Sequence, residues 1–430
     1  MKKAVVFAAS VFFFAAAGTA RAQEPSDSLI RDNITEAVVS SALTPPNAPF
    51  AVSRIGKEEL EEFSGSVKEL PYLFARTPGV VAWGDNGLGT GTTYLRIRGS
   101  GDSRINVTLD GVPLNSPEDQ CVFWANMNSY SSFLEGVRIQ RGVGSSSNGD
   151  GAFGGTVALT LRRPSAERML QTDFSYGSYN SARAGFSFSS GLIGGKWTAE
   201  AAFHHSHTDG YVHGTRGNSG SWIASVYYFA SPKLTIKYRN IGNYERTGQA
   251  WNGVETGDRF YGNYGLDSGV RGYEDLLSEG LGLYNGLCES WSPRISGGYS
   301  FNPYPQITTD NFVQDHNLLG ADYDAGAGWK LQGTLHYTYG YGYYSNFQKD
   351  KKLSKYGFSP FTGSDGAEVS KSDFVRKKGI SQNAVGLVVN ARKSWEKVDL
   401  YLGSSSQGFF ADHFGYLTYI GNDDLKREYT

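Results

Sequence analysis

The chain has 430 residues and a formal net charge of -2, so neither a basic nucleic-acid surface nor an acidic tail defines it. Charged residues are only 19%, whereas Gly fills 55 positions, Tyr 27 and Phe 25. That is the profile of many glycine-punctuated strands with aromatic girdles.

Residues 1–22 place Lys2 and Lys3 before the apolar run AVVFAASVFFFAAAG and end in small residues at Ala20 and Ala22. These are the three regions of a cleaved signal peptide. The run falls short of the ~20 apolar residues of a spanning helix, so the mature protein is expected to be secreted, periplasmic or a β-barrel. Residues 23–43 read as a flexible polar lead interrupted by NITEAVVSSAL. Such a β-prone run suits strand addition to a partner's sheet, or is the first strand of the next domain.

Residues 44–164 read as a compact α+β unit. VSRIGKEELEEF starts a helix with Glu58 and Glu59 near its positive end, and Leu70, Leu73 and Phe74 keep helical spacing before Pro78-Gly79 stops a second. Short strands follow at YLRIRG, INVTLDGVPL, LEGVRIQRG and GTVALTLRR, the second turning on Asp110-Gly111.

Beyond residue 168 the period is two. Leu331, Leu335, Tyr337, Tyr339, Tyr341 and Tyr343 share one face, and Gln332, Thr334, His336 and Thr338 the other. Leu234, Ile236 and Tyr238 likewise oppose Thr235, Lys237 and Arg239. About nine strands are legible, with tight connections (LIGGK, SPK, DAGAG, SWEK) alternating with long ones (DGYVHGTRGNSGS, 248–311 and 348–378) and all tight turns on one side. Long loops on one side and short turns on the other point to an outer-membrane barrel rather than a soluble sandwich.

At this point the chain resembles the TonB-dependent outer-membrane receptors. ITEAVVSSA is similar to their TonB box, LRIRGSGDSRINVTLDGVPLNSPEDQ to the central plug strands, and IQRGVGSSSNGDGAFGGTVALTLRR to the closing plug signature. The resemblance implies a signal peptide (1–22), a lead with TonB box (23–43), a plug (44–164) and the N-terminal part of a barrel (168–430). The fold class is thus an incomplete transmembrane β-barrel, about nine of an expected ~22 strands, preceded by a small α+β plug. A plug this large implies a barrel wider than nine strands can close, and the polar end IGNDDLKREYT is unlike a final barrel strand; the expectation is a truncated product or fragment.

The resemblance further implies energy-coupled import of a bulky scarce nutrient of the ferric siderophore, haem or cobalamin class. The partner would be TonB, with its inner-membrane energising complex, pairing by strand addition with Ile34, Thr35, Glu36, Ala37, Val38 and Val39. Cargo would bind on long loops and on two plug segments, through Trp83, Asp85 and Asn86 in WGDNGLG and Asp119, Gln120, Phe123 and Trp124 in PEDQCVFW. Outer-membrane lipid is the remaining partner; neither nucleic acid nor cofactor is implied. A surface receptor or sensor using a plugged barrel as platform is the alternative.

Several residues carry two readings. Arg96, Arg98, Arg104, Arg138 and Arg141 either meet carboxylates on the inner wall or are solvated. His204, His205, His207 and His213 read as polar rim residues rather than metal or haem ligands, with His205 and His207 on one face and His204 on the other. Cys121 and Cys288 could pair or stay free. No nucleophile–base pattern or phosphate loop is present, so an enzyme is not expected.

Overall fold

The computed structural model describes residues 51–143, 152–212, 214–251, 278, 292–294, 298–300 and 309–429. The expected signal peptide, lead and strand-addition run, together with His213 and Cys288, lie outside these residues.

The first unit is built on a mixed sheet of β1 (Ala51–Ile55), β6 (Leu134–Arg141), β7 (Gly155–Leu161), β4 (Ile105–Leu109) and β5 (Val112–Pro113), in that spatial order. Only the β4–β7 pair is parallel. Residues 52–55, read above as the start of a helix, belong with Ala51 to β1, which pairs with β6 from Ala51↔Arg141 to Ile55↔Val137. The open edge of β6 supplies a ladder that short-range helix propensity does not offset. Helix α1 (Lys57–Ser64) begins only after extended Gly56, whose amide donates to the Glu59 carboxylate at 2.9 Å. Its apolar positions Leu60 and Phe63 are buried, as are Leu70, Leu73 and Phe74 of α2 (Leu70–Phe74). A separate hairpin pairs β2 (Val80–Gly84) with β3 (Thr93–Ile97). At the β4–β5 turn Asp110 and Gly111 take φ of +49° and +84°, the left-handed pair that a two-residue hairpin requires.

The second unit is one antiparallel sheet of nine strands. In chain order these are β8 (Arg168–Gly177), β9 (Ser181–Ser190), β10 (Trp197–Thr208), β11 (Gly217–Ser231), β12 (Leu234–Gly248), β15 (Thr309–Gly326), β16 (Trp329–Lys352), β19 (Lys371–Ser394) and β20 (Asp399–Ile420), each paired with the next. Two small hairpins interrupt the series, β13 (Ser292–Arg294) with β14 (Gly298–Ser300) and β17 (Phe361–Thr362) with β18 (Glu368–Val369). Helix α3 (Asp423–Tyr429) follows β20. Among the described residues β8 and β20 pair with no common neighbour, so the sheet is an open wall.

Sheet polarity is inverted relative to a soluble domain. The outward face carries exposed Ile236, Tyr238, Leu319, Leu331, Leu335, Tyr337, Leu387 and Leu402, while the inward face buries Ser187, Glu200, Ser221, Lys237, Arg239, Asn243, Gln332 and His336. Lipid accounts for the first and a polar lumen for the second. The plug fills the concave side, and wall residues Ala202, Ile223, Ile241, Leu318 and Val388 join its apolar core.

Connections at one end of the wall are short: 191–196, 232–233, 327–328 and 395–398. The opposite end carries 209–216, 249–308 and 353–370, plus one tight turn at 178–180 that departs from the expected segregation. The loop read as 348–378 is shorter because β16 and β19 continue pairing to Lys352↔Lys371. The apolar residues behind that extension, Leu353, Phe374, Ile420 and Leu425, form a small core of their own.

Candidate functional site at the plug apex

The segment between β2 and β3 rises to the long-connection end of the wall. There the Asn86 amide donates to Gly248 O at 3.1 Å, and the Trp251 indole donates to Thr92 Oγ1 at 2.8 Å. The loop is held from below by Glu69, the residue preceding α2. Its carboxylate accepts the Gly91 amide at 2.5 Å and the Thr93 hydroxyl. Complete burial pushes the Glu69 carboxyl up to about 7 against the pull of those two donors.

Above this strut Trp83 stacks on Tyr94 with ring centroids 5.1 Å apart, and the Arg96 guanidinium lies 5.3 Å over the Trp83 ring. Tyr94 donates to Asp85 Oδ2 at 3.1 Å, and burial followed by that carboxylate pushes the phenol up to about 12. Burial also raises the Asp85 carboxyl, the bond from Tyr94 lowering it in part. Tyr211, from the connection between β10 and β11, closes over Gly87 and stands edge-on to Tyr179 at 5.3 Å.

The second segment, residues 116–124, is braced by Asn115, which accepts from the Val107 amide at 2.8 Å and donates to Ile105 O and Gln120 O. Asp119 and Gln120 are exposed, and Phe123 is 56% exposed. Asp102 accepts the Leu95 amide at 3.1 Å, and its charge bears on both Tyr94 and Cys121. Burial, then Asp119 and Asp102, push the Cys121 thiol up to about 11, far from a reactive thiolate. Glu118 reaches the wall at His413 Nε2, 2.9 Å away.

The structure therefore separates the proposed cargo residues. Trp83, Asp85, Asp119, Gln120 and Phe123 present surface. Asn86 is 1% exposed and Trp124 2%, the latter edge-on to Phe74 at 5.4 Å, so both are internal supports. Sequence reasoning missed Glu69, Tyr94, Tyr211 and Trp251. An acidic residue directly before a Pro-bearing helix start was the one local signal, and it is weak.

Of the two readings of the plug arginines, solvated charge fits Arg96, Arg98 and Arg104, which are exposed. Among the described residues none of Arg96, Arg98, Arg104, Arg138 or Arg141 pairs with a wall carboxylate; Arg141 donates to Pro78 O at 2.8 Å within the plug. Wall cations enter the plug instead. Arg239 pairs with Asp110, whose other oxygen accepts the Leu161 amide at 3.0 Å, and Arg183 donates to Ser64 O and Ser132 Oγ. The expected polarity is seen where Arg162 after β7 meets Glu200 at 2.5 Å. A sheet edge exposes plug carbonyls and turn carboxylates, and long wall side chains reach them more easily than the reverse. His204, on the inward face, bonds Asp173 at 2.8 Å, while His205 and His207 point outward to Tyr244 and Asn218.

An open antiparallel wall, apolar outside and polar inside, wrapped on a separately folded α+β unit defines the class: an outer-membrane β-barrel with an internal plug. Residues 45–156 match the model of the TonB-dependent receptor plug domain. The first unit is thus a plug domain of that family. Solved structures share the fold at low identity. Pseudomonas aeruginosa FpvA, in complex with heterologous pyoverdines, is 13% identical, with TM-score 0.59, covering 89% of this chain and 45% of that one. The siderophore receptor PiuA from Acinetobacter baumannii is 12% identical (TM-score 0.57, 88% and 49%), and the ferric citrate transporter FecA 13% (TM-score 0.58, 87% and 50%). The chain thus spans about half the length of these proteins. No curated protein matches the sequence.

Proposed function

We propose that the chain is the plug and part of the barrel of a receptor that imports a bulky scarce nutrient across the outer membrane of a Gram-negative bacterium, with energy supplied through TonB. The observation that carries this is the plug–wall boundary. Beside the apolar contact of five wall residues it is lined by hydrogen bonds such as Ser221 to Asn128 O and ion pairs such as Arg162–Glu200. Polar, wettable contacts can be exchanged for water when a plug is pulled, whereas an apolar seam of that area would resist. Cargo of the ferric siderophore, haem or cobalamin class would meet Trp83, Arg96, Tyr211, Phe123 and Asp119: aromatic faces with charges of both signs. TonB would add a strand at Ile34 to Val39. Deleting residues 34–39 from the protein in its cellular context should leave cargo binding intact and abolish energy-dependent uptake. Undiminished uptake would refute the proposal. A plugged barrel used only as a sensor predicts binding without uptake in either form.

A further inference from the structure

The inward face of the wall carries an apolar level between two polar ones. Ala202, Ile223, Ile241, Leu318 and Val388, one each from β10, β11, β12, β15 and β19, are buried in the same apolar cluster as the plug core. Ala202 stands opposite Ile223, and Ile223 opposite Ile241, in successive ladders. Counted from the short-turn ends of their strands (Trp197, Ser231, Leu234, Gly326 and Ser394), all five lie five to eight residues up. That is about 13–20 Å at ~3.3 Å per residue and ~40° tilt. On β16 the buried His336 ring continues the level, lying over Gly386 where a Cβ would meet it. Two residues nearer the short turns, the same face buries Glu200, Ser225 and Arg239; two residues further from them it buries His204, Ser221 and Asn243.

The plug meets each level in kind. Its single turn Trp124–Met127 lies against β12 and β15. Just above the apolar level the Asn243 amide donates to Ala125 O at 3.4 Å and the Ser221 hydroxyl to Asn128 O. Just below it Arg162 meets Glu200 and Arg239 meets Asp110. Among the described residues Asn243 Oδ1 and Asn126 Oδ1 above, and Glu200 Oε2 and Ser225 Oγ below, have no protein partner. Buried polar atoms of this kind draw water, so the boundary is wettable from both ends up to the apolar level. Ions do not cross a narrow apolar constriction, because nothing there replaces their hydration. A level one side chain thick also parts readily when the plug is pulled, since little apolar surface is exposed by doing so.

Resting on the plugged-barrel reading above, we propose that Ala202, Ile223, Ile241, Leu318 and Val388 form the ion seal of the resting receptor. The bulk of the plug blocks cargo, and this level stops the ions that a wetted polar boundary would pass. The test inserts the intact receptor, purified from outer membranes, into planar bilayers and reads potassium conductance. Val and Thr differ in a hydroxyl at nearly the same shape, so Ile223→Val/Ile241→Val alters packing and Ile223→Thr/Ile241→Thr adds polarity to the same alteration. Expected is conductance about tenfold above wild type for the Thr pair. The Val pair should stay within about twofold of wild type, as should Ser221→Ala/Asn243→Ala, which removes the hydrogen bonds above the level. Where limited proteolysis shows the Thr pair to have loosened the plug, the single Ile241→Thr is read instead, with about threefold expected. Thr variants as ion-tight as wild type, or an equal leak from the Val or the Ser221→Ala/Asn243→Ala pair, would overturn the seal and leave the receptor reading standing. Wild type that conducts freely, or is absent from the outer membrane, overturns that reading as well.

Discussion

Asp110 in the plug and Arg239 in the wall form an ion pair across the boundary with both side chains buried, 5% and 2% exposed. Arg239 also stacks 5.1 Å over the Tyr227 ring, and Asp110 is fixed by its left-handed turn, so neither group can follow the other if they part. Arg239→Met strands a buried carboxylate and should cost about 3–5 kcal/mol, read as plug release in limited proteolysis. The Asp110→Asn/Arg239→Met double variant should recover much of that loss. A single variant as protease-resistant as wild type would show the pair to be idle.

Glu69 gives the apex a pH dependence with a defined sign. Its carboxyl stands at about 7 in the fold against 4.5 ordinarily, so the folded state binds the extra proton. Stability from this group is complete below pH 4.5 and is lost as pH rises through 7, roughly 3 kcal/mol in all. Glu69→Gln should match wild type in urea midpoint at pH 4.5 and exceed it at pH 8. Parallel pH curves for the two would sink this account.

Leu335 is 51% exposed on the outward face. In water, Leu335→Arg should change stability by less than ~0.5 kcal/mol, whereas facing lipid it should cost about 2–4 kcal/mol. Heat-modifiability of the folded chain in lipid against the same variant in water-soluble conditions separates the two outcomes, and a negligible effect in lipid would contradict the membrane assignment.

Trp124 is a core residue packed edge-on against Phe74. Trp124→Ala should destabilise the plug by about 3–5 kcal/mol and weaken any cargo indirectly, while Phe123→Ala, one position away and exposed, should leave stability within ~0.5 kcal/mol. Equal destabilisation by both would contradict the division between support and surface.

Much of the architecture is local and therefore readable along the chain. Alternation at Leu331 to Tyr343 alone fixes which side of β16 faces lipid, because a strand's period is two whatever its neighbours are. The Asp110-Gly111 turn and the burial of Leu60, Phe63, Leu70 and Leu73 follow from short-range chemistry in the same way. What the tertiary structure alone decided is which distant groups meet. Residues 51–55 became a strand because β6, some eighty residues on, offered an edge. The arginines that cross the boundary belong to the wall rather than the plug, Trp124 turned inward while Phe123 stayed out, and Glu69 met the 91–93 backbone. Periodicity assigns a side chain to a face, but pairing energy depends on separations set by how two independently folded layers dock, and no spacing within either layer encodes that.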